Sequence, residues 1–332
     1  MTPQKNISGK SYGGVSPATG TITDAIIFGE GEKISSEFQL GSNGSNSYIA
    51  AGAMQSYGPI SVALSGDTAI CPKRKSGLSI SIDETSYTVH ADANISIKYL
   101  DKILSEKGYC LQVMPGADQA TIGGCIAADV HGKNGHKLGS FGDHVAGFSL
   151  LDPLSGKVSW ITQDDSEFRW TIGGFGVTGV ILTARIKIIR RPGSSMVMRA
   201  IKCTSAQALI DGLISNSETV DDIGAWFSPT KNGIFGKVFI ANWSSEPPKN
   251  TNQLPPFLTY NAFVILGFRL WRKYGARFLS AYIYFQREPS FPQKSNHVLF
   301  PFAGLVGWNK FFGSSFVERQ FLVPIEQGVF AM

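Results

Sequence analysis

Apolar residues recur at two periods along this chain, and the switches between them mark its elements. Over Ile97–Lys107 the spacing of Ile97, Leu100, Ile103 and Leu104 places all four on one face of a helix, with Ser96 as N-cap and Gly108 as stop. Around that helix the period falls to two. Ser79–Asp83 and Tyr87–Ala91 predict a hairpin linked through Glu84–Ser86, and Tyr109–Met114 predicts a returning strand. Further strands are expected at Ser47–Ala51, Val145–Leu151, Val158–Thr162 and Gly179–Ile189, with a turn over Asp152–Gly156. Residues 1–50 otherwise read as turn-rich.

Arg191-Pro192-Gly193 punctuates the chain, so 1–192 reads as one unit and 193–332 as a second. In the second unit the pattern predicts strands at Met196–Lys202, Ile223–Phe227, Lys237–Asn242, Phe278–Phe285 and Val317–Pro324. Helices are expected over Ala206–Ile214 and Leu305–Phe312. This is an α+β pattern, a first unit followed by a mixed or antiparallel sheet flanked by helices.

Composition narrows the chemistry. There are 37 glycines among 332 residues with no G-x-y period, which points to turns or to backbone laid against a ligand. Thirty basic and 25 acidic residues leave a charge of +5, scattered over Lys73-Arg74-Lys75, Arg190-Arg191 and Arg269/Arg272/Lys273. No continuous basic stripe is visible, so no nucleic acid partner is expected. Cys71, Cys110, Cys125 and Cys203 lie far apart without metal-ligand spacing, which favours a reducing compartment and no metal. The N-terminus lacks an apolar signal region, and the apolar stretch Phe257–Leu270 is interrupted by Asn261. The expectation is a cytoplasmic protein, peripheral at most on the inner membrane.

Glycines and small residues concentrate in three segments: 51–58 (AGAMQSYG), 115–142 and 172–179 (IGGFGVTG). Successive N–H groups in such turns can cradle a diphosphate. Gly174-x-Gly176-x-x-Gly179 matches the dinucleotide expression, but it opens onto β-branched residues where that fingerprint requires a helix. Gly9-Lys10-Ser11 lacks the upstream glycine of a P-loop.

The stretch PGADQATIGGCIAADVHGKNGHKLGSFGDHV from Pro115 to Val145, with FRWTIGGFGVTGVI at 168–181 and QSYG at 55–58, resembles the PCMH-type FAD-binding domain of the vanillyl-alcohol-oxidase superfamily. More narrowly it is similar to the decaprenylphosphoryl-β-D-ribose 2′-oxidase family, and FPFAGLVGWNKFFGSSFVERQFLVP at 300–324 is a weaker late match. The resemblance implies FAD contacts from Gln55, Ser56, Tyr57 and Gly58, and from Pro115, Gly116, Gln119, Thr121, Gly123, Gly124, Ala127 and Ala128. It adds His131, Gly132, Asn134, Gly179, Val180 and Ile181. The first loop offers no His or Cys for a covalent link, so non-covalent FAD is implied.

The resemblance also implies the reaction: a secondary hydroxyl of a sugar is oxidised, its hydride passing to the flavin. The substrate it implies is a pentose on a polyprenyl phosphate, in an epimerisation serving cell-envelope polysaccharide synthesis, with an NAD(P)H-dependent keto-reductase as partner. His131 and Tyr57 are the expected polar assistants, with Glu318 and Gln320 on one face of a strand toward substrate. Lys133 reads either as a neutraliser of cofactor phosphate or as a solvated charge. The chain departs from the family pattern at Met54-Gln55, where Gly-Arg is usual, and at Glu318, where a glutamine is usual. It also reads as C-terminally shortened, ending soon after Pro324. Two other readings stay open: an aldonolactone or alditol oxidase on a soluble sugar, and a catalytically inactive flavin-binding or interaction protein.

Overall fold

The computed structural model describes residues 5–7, 20–28, 33–34, 48–55, 68–74, 79–230, 233–249, 280–300 and 323–328. They divide into two compact units: Met1–Gly132 with Leu138–Arg190 form most of the first, and Lys133–Lys137 with Arg191–Ser314 form most of the second.

The first unit holds two sheets. One contains β1 (Lys5–Ile7), β2 (Gly20–Phe28), β3 (Lys33–Ile34), β4 (Tyr48–Ala50) and β5 (Thr68–Arg74), ordered β1-β2-β5-β4 with β3 on β2. β5 runs parallel to both β2 and β4. The sequence pattern shows neither β2 nor β5. Their pairing sets Thr21 against Thr68, and such a non-local parallel register leaves no hairpin signal in either segment.

The other sheet is antiparallel and close to the expected pattern: β6 (Ile80–Asp83), β7 (Thr88–Asp92), β8 (Tyr109–Leu111), β9 (Val145–Leu151), β10 (Val158–Thr162) and β11 (Val180–Arg190). Its order is β10-β9-β11-β7-β6, with β8 continuing along β11. The uncharged run Val180–Ala184 that opens β11, buried at every position, suits this central place. On the outer face Gly147 leaves a gap that the Trp160 indole fills, since a Cβ on Gly147 would lie 2.8 Å from Trp160 Cζ2. His90 stacks on that indole at 5.6 Å and Arg185 approaches it at 5.5 Å. Ile70 of β5 packs with Leu151, Val180 and Leu182, joining the two sheets in one core.

Helix α1 (Ile97–Glu106) begins at Ser96, whose hydroxyl accepts from Tyr99 N–H, and buries Ile97, Leu100 and Leu104. Gly108 follows at φ +76°, the left-handed stop that a glycine permits. The buried Cys110 and Cys125 are small core residues, as their apolar neighbours in sequence suggest.

In the second unit β12 (Ser195–Cys203), β13 (Asp222–Thr230) and β14 (Gly233–Ser244) form an antiparallel sheet ordered β12-β14-β13. A helix over Ala206–Ser217, capped by the Ser205 hydroxyl, covers one face through Leu209. One expectation is overturned here: residues 280–285 are helical, not a strand, and Gln286 N–H donates to Tyr282 O at 2.8 Å. The aromatic residues that suggest a strand instead dock on the sheet, Tyr284 against Phe235 and both Tyr284 and Phe285 under the Lys202 ammonium. Tertiary contact overrides β-propensity. The strand and helix expected over 317–324 and 305–312 lie wholly or largely outside the described residues. No helix among the described residues is long and apolar enough to cross a membrane.

Candidate functional site

The site grows from the turn that follows β8. Pro115 and Asp118 are buried while Gly116, Ala117 and Gln119 stay exposed. The loop is latched to the start of α1 by Ile97 N–H to Ala120 O and Lys98 N–H to Asp118 O, both 2.8 Å, and by the Lys98–Asp118 ion pair at 3.1 Å. Thr121 then caps a short helix, Ile122–Ala127, by accepting Gly124 N–H at 3.2 Å. Ile122, Cys125 and Ile126 anchor that helix in the core, and burial pushes the Cys125 thiol far up, so it is a packing residue.

All three glycine-rich segments converge on this short helix. A Cβ on Gly52, in the first segment, would collide with Thr121 Oγ1, and Gly123 N–H donates to Ala93 O at 2.8 Å. From the third segment Gly173 N–H donates to Ile126 O at 3.1 Å and Phe175 N–H to Ala127 O at 2.8 Å. A Cβ on Gly176 would lie 2.8 Å from the Cβ of Ala50, just before the first segment. Asp129 takes φ +43° and its Oδ1 accepts Gly142 N–H at 2.9 Å, so a strained residue folds the second segment back on itself. Bare backbone is thus left exposed at Gly52, Gly116 and Gly124 beside a buried floor. A Cβ on Gly116 would meet nothing within 4 Å, so the backbone there is open to close approach, and these residues fit FAD.

The expected cofactor residues fall into two sets. Gly116, Gln119, Gly124 and His131 are exposed, and Gln55, Gly123, Ala127, Ala128, Gly132 and Asn134 are half-buried. Pro115, Thr121, Gly179, Val180 and Ile181 are buried supports: Val180 and Ile181 pair with Leu151 and Leu150 on β9. Gln55 spends its Nε2–H on Ala53 O at 2.9 Å. Ser56, Tyr57, Gly58, Glu318 and Gln320 lie outside the described residues. His136 and His144 each set a ring nitrogen against a carbonyl, Ser217 O at 2.9 Å and Leu138 O at 2.8 Å. His131 is exposed, and its backbone bridges to Ser140. Of these three His side chains it alone has no such carbonyl partner among the described residues.

Lys133 corrects both readings made from sequence. It is neither on a phosphate nor in solvent: its Nζ donates to Val298 O at 2.7 Å and Leu299 O at 2.6 Å. Burial pulls its pKa from 10.5 down to about 8, partly opposed by the Asp222 carboxylate. Burial in turn raises the Asp222 carboxyl, and Asp222 Oδ2 has no hydrogen-bond partner among the described residues. The unfolded chain holds the Lys133 proton up to about pH 10.5 and the folded chain only to about 8, so folding is penalised below pH 8 and recovers above it. Urea unfolding at about pH 7.5 and 9.5 should therefore show a gain at the higher pH of ~2 kcal/mol that Lys133→Met abolishes. Equal pH slopes in the two proteins would refute this. No group of three or more His, Cys, Asp or Glu side chains among the described residues could hold a metal.

Comparison with known proteins bears on this geometry. The family profile described as FAD binding domain matches residues 42–162. Decaprenylphosphoryl-beta-D-ribose oxidase of Mycolicibacterium smegmatis is 43% identical over 111 residues, 32% of this chain and 24% of that enzyme. L-gulonolactone oxidase 3 of Arabidopsis thaliana is 27% identical over 166 residues, 47% of this chain and 28% of its own length. D-arabinono-1,4-lactone oxidase of Kluyveromyces lactis is 25% identical over 153 residues, covering 44% and 27%. The chain therefore spans about a quarter of the length of these curated relatives. A solved alkyldihydroxyacetonephosphate synthase superposes with a TM-score of 0.49 at 16% identity, over 59% of this chain and 43% of its own.

Proposed function

We propose, from the premise that this chain carries a PCMH-type FAD-binding domain homologous to that of decaprenylphosphoryl-β-D-ribose oxidase, that it serves the oxidation of a secondary hydroxyl on a sugar. The domain is an FAD-linked oxidase domain related to sugar- and lactone-oxidising enzymes. The observation that carries the reading is the convergence of three glycine-rich segments on helix Ile122–Ala127, which leaves bare backbone where a dinucleotide needs close approach. FAD, when bound, supplies the two-electron acceptor that no side chain can supply.

The chain's own residues bind, orient and move the proton. Gly116, Gln119 and Gly124, all exposed, would hold the diphosphate of FAD, with the buried Thr121 and Gly179–Ile181 supporting them. His131, exposed at the end of this strip, takes the hydroxyl proton, the general-base work for which a histidine side chain is the commonest choice. Tyr57 and Gln320 orient the sugar. The substrate suggested by the name of the Mycolicibacterium smegmatis relative is a decaprenylphosphoryl ribose; on this reading the chain works at a membrane surface and hands its keto product to an NAD(P)H-dependent reductase.

The test begins with the visible spectrum of the purified chain and acid release of its cofactor. A flavin spectrum with free FAD in the extract is expected, and a folded but colourless protein overturns the reading. A polyprenyl-phosphate pentose should bleach the bound flavin anaerobically, whereas bleaching by soluble aldonolactones or polyols alone favours the lactone-oxidase class. His131→Ala is expected to slow bleaching about 10²–10⁴-fold.

A further inference from the structure

Four residues other than glycine take a left-handed backbone among those described: Met54 (φ +53°), Tyr87 (φ +51°), Asp129 (φ +43°) and Phe175 (φ +51°). Tyr87 sits at the turn of the β6–β7 hairpin, where such a conformation is ordinary. The other three fall one in each of the three glycine-rich segments of the first unit. Asp129 is accounted for by its bond to Gly142 N–H, and Met54 by its packing on Ala51 and Ala69. Phe175 has no such account. It is a bulky residue at a φ natural to glycine, set between Gly174 and Gly176, and it is 44% exposed. Burial therefore returns little of what the backbone costs.

The loop around it is tightly fixed. Gly174 N–H donates to Thr171 O at 3.1 Å, Val177 N–H donates to Gly174 O at 3.0 Å, and the hydroxyls of Thr171 and Thr178 meet at 2.9 Å. Phe175 is itself pinned by its N–H on Ala127 O at 2.8 Å, the last residue of the helix that carries Gly123 and Gly124. Its neighbour Gly176 closes on Ala50. A large apolar side chain is thus held partly in water by a fixed backbone, on the helix where the three glycine segments meet. Strain that packing does not repay is characteristic of ligand clamps. A flat apolar face laid against the phenyl would repay it, and FAD offers two, its adenine and its isoalloxazine.

We propose that Phe175 binds the cofactor by stacking its phenyl on one of the two heteroaromatic rings of FAD, and that the left-handed backbone at this position is kept for that contact. The proposal rests on the flavin reading above and goes beyond it, since Phe175 is not among the residues that the family resemblance implies. Stability and binding then pull in opposite directions at one position. Glycine there relaxes the backbone and loses the ring.

The test uses the full chain stripped of flavin. FAD binding is followed by the change in flavin fluorescence, and the urea midpoint of the stripped protein is measured in parallel. Phe175→Gly is expected to keep or raise that midpoint yet weaken FAD binding about fivefold to hundredfold, the range for losing one base stacked on an aromatic side chain. Phe175→Leu, apolar but without a flat ring, should weaken binding about fivefold or more, and Phe175→Tyr should stay within about twofold of the natural chain. Titrations with ADP and with FMN identify the ring: the loss in Phe175→Leu follows ADP if the ring is adenine and FMN if it is isoalloxazine. A loss with neither overturns the contact. FAD affinity unchanged in Phe175→Gly and Phe175→Leu overturns it as well, and so does a lower urea midpoint in Phe175→Gly, which would assign the phenyl to packing. A natural chain that binds no FAD overturns the flavin reading itself, and this contact with it.

Discussion

Glu288→Ala is expected to destabilise the second unit by about 3–5 kcal/mol, the range for stranding one member of a buried ion pair. Lys237 projects from β14 with its side chain 1% exposed, and Glu288 is 10% exposed. The ammonium donates to Gln286 O at 2.6 Å and to both Glu288 oxygens at 3.1 and 3.2 Å. Removing Glu288 leaves a cation in the interior with a single carbonyl. Urea unfolding followed by tryptophan fluorescence reads this, because Trp226 and Trp243 lie in the same sheet. The double variant Lys237→Met/Glu288→Leu should recover most of the loss, since apolar isosteres escape the desolvation cost. Glu84→Ala supplies the contrast: its pair with Arg190 spans 4.0 Å with both side chains more than half exposed, so the cost should stay below about 1 kcal/mol. A loss below about 1 kcal/mol in Glu288→Ala would show that water reaches Lys237 in solution.

The second large effect lies in the first unit. Gly176→Ala should cost about 2–5 kcal/mol and abolish FAD retention, the sum of a left-handed backbone penalty and an overpacking penalty. Gly176 sits at φ +81°, and an added Cβ would lie 2.8 Å from the Cβ of Ala50. Ala50 ends β4 and leads into the first glycine segment, so any retreat displaces the backbone beside Thr121. Gly156→Ala isolates the backbone term, because Gly156 has φ +70° with nothing within 4 Å of its would-be Cβ. That control should lose only about 1–2 kcal/mol and keep its flavin. If both variants retain FAD with equal stability, the close approach at Ala50 is not part of the cradle.

These expectations separate what was legible in the chain from what was not. The hairpin at 80–92, helix α1 with its Ser96 cap, and strands β9 to β11 follow from local period and turn chemistry. The glycine segments were visible as well. Their meeting was not, because the contacts of Gly52 with Thr121 and Gly176 with Ala50 join residues far apart in sequence. Asp129 gave no signal either: an aspartate at positive φ becomes recognisable only once its side chain is seen holding Gly142 N–H. The helix at 280–285 was hidden by its aromatics, which carry β-propensity on their own and find helical docking only against Phe235 and Lys202.

By itself the sequence determined the α+β class, the antiparallel sheet of the first unit and the concentration of bare backbone that suits FAD. Each of these is written in nearest-neighbour periodicity or in the steric freedom of glycine. Only the tertiary structure decided where the charges go. Lys133, which reads from sequence either as a phosphate neutraliser or as a solvated charge, instead donates to two carbonyls, and Lys237 of β14 is buried on a carbonyl and a carboxylate, all supplied from distant segments. A buried charge is settled by partners that converge from far along the chain, and local sequence holds no record of which partners will arrive.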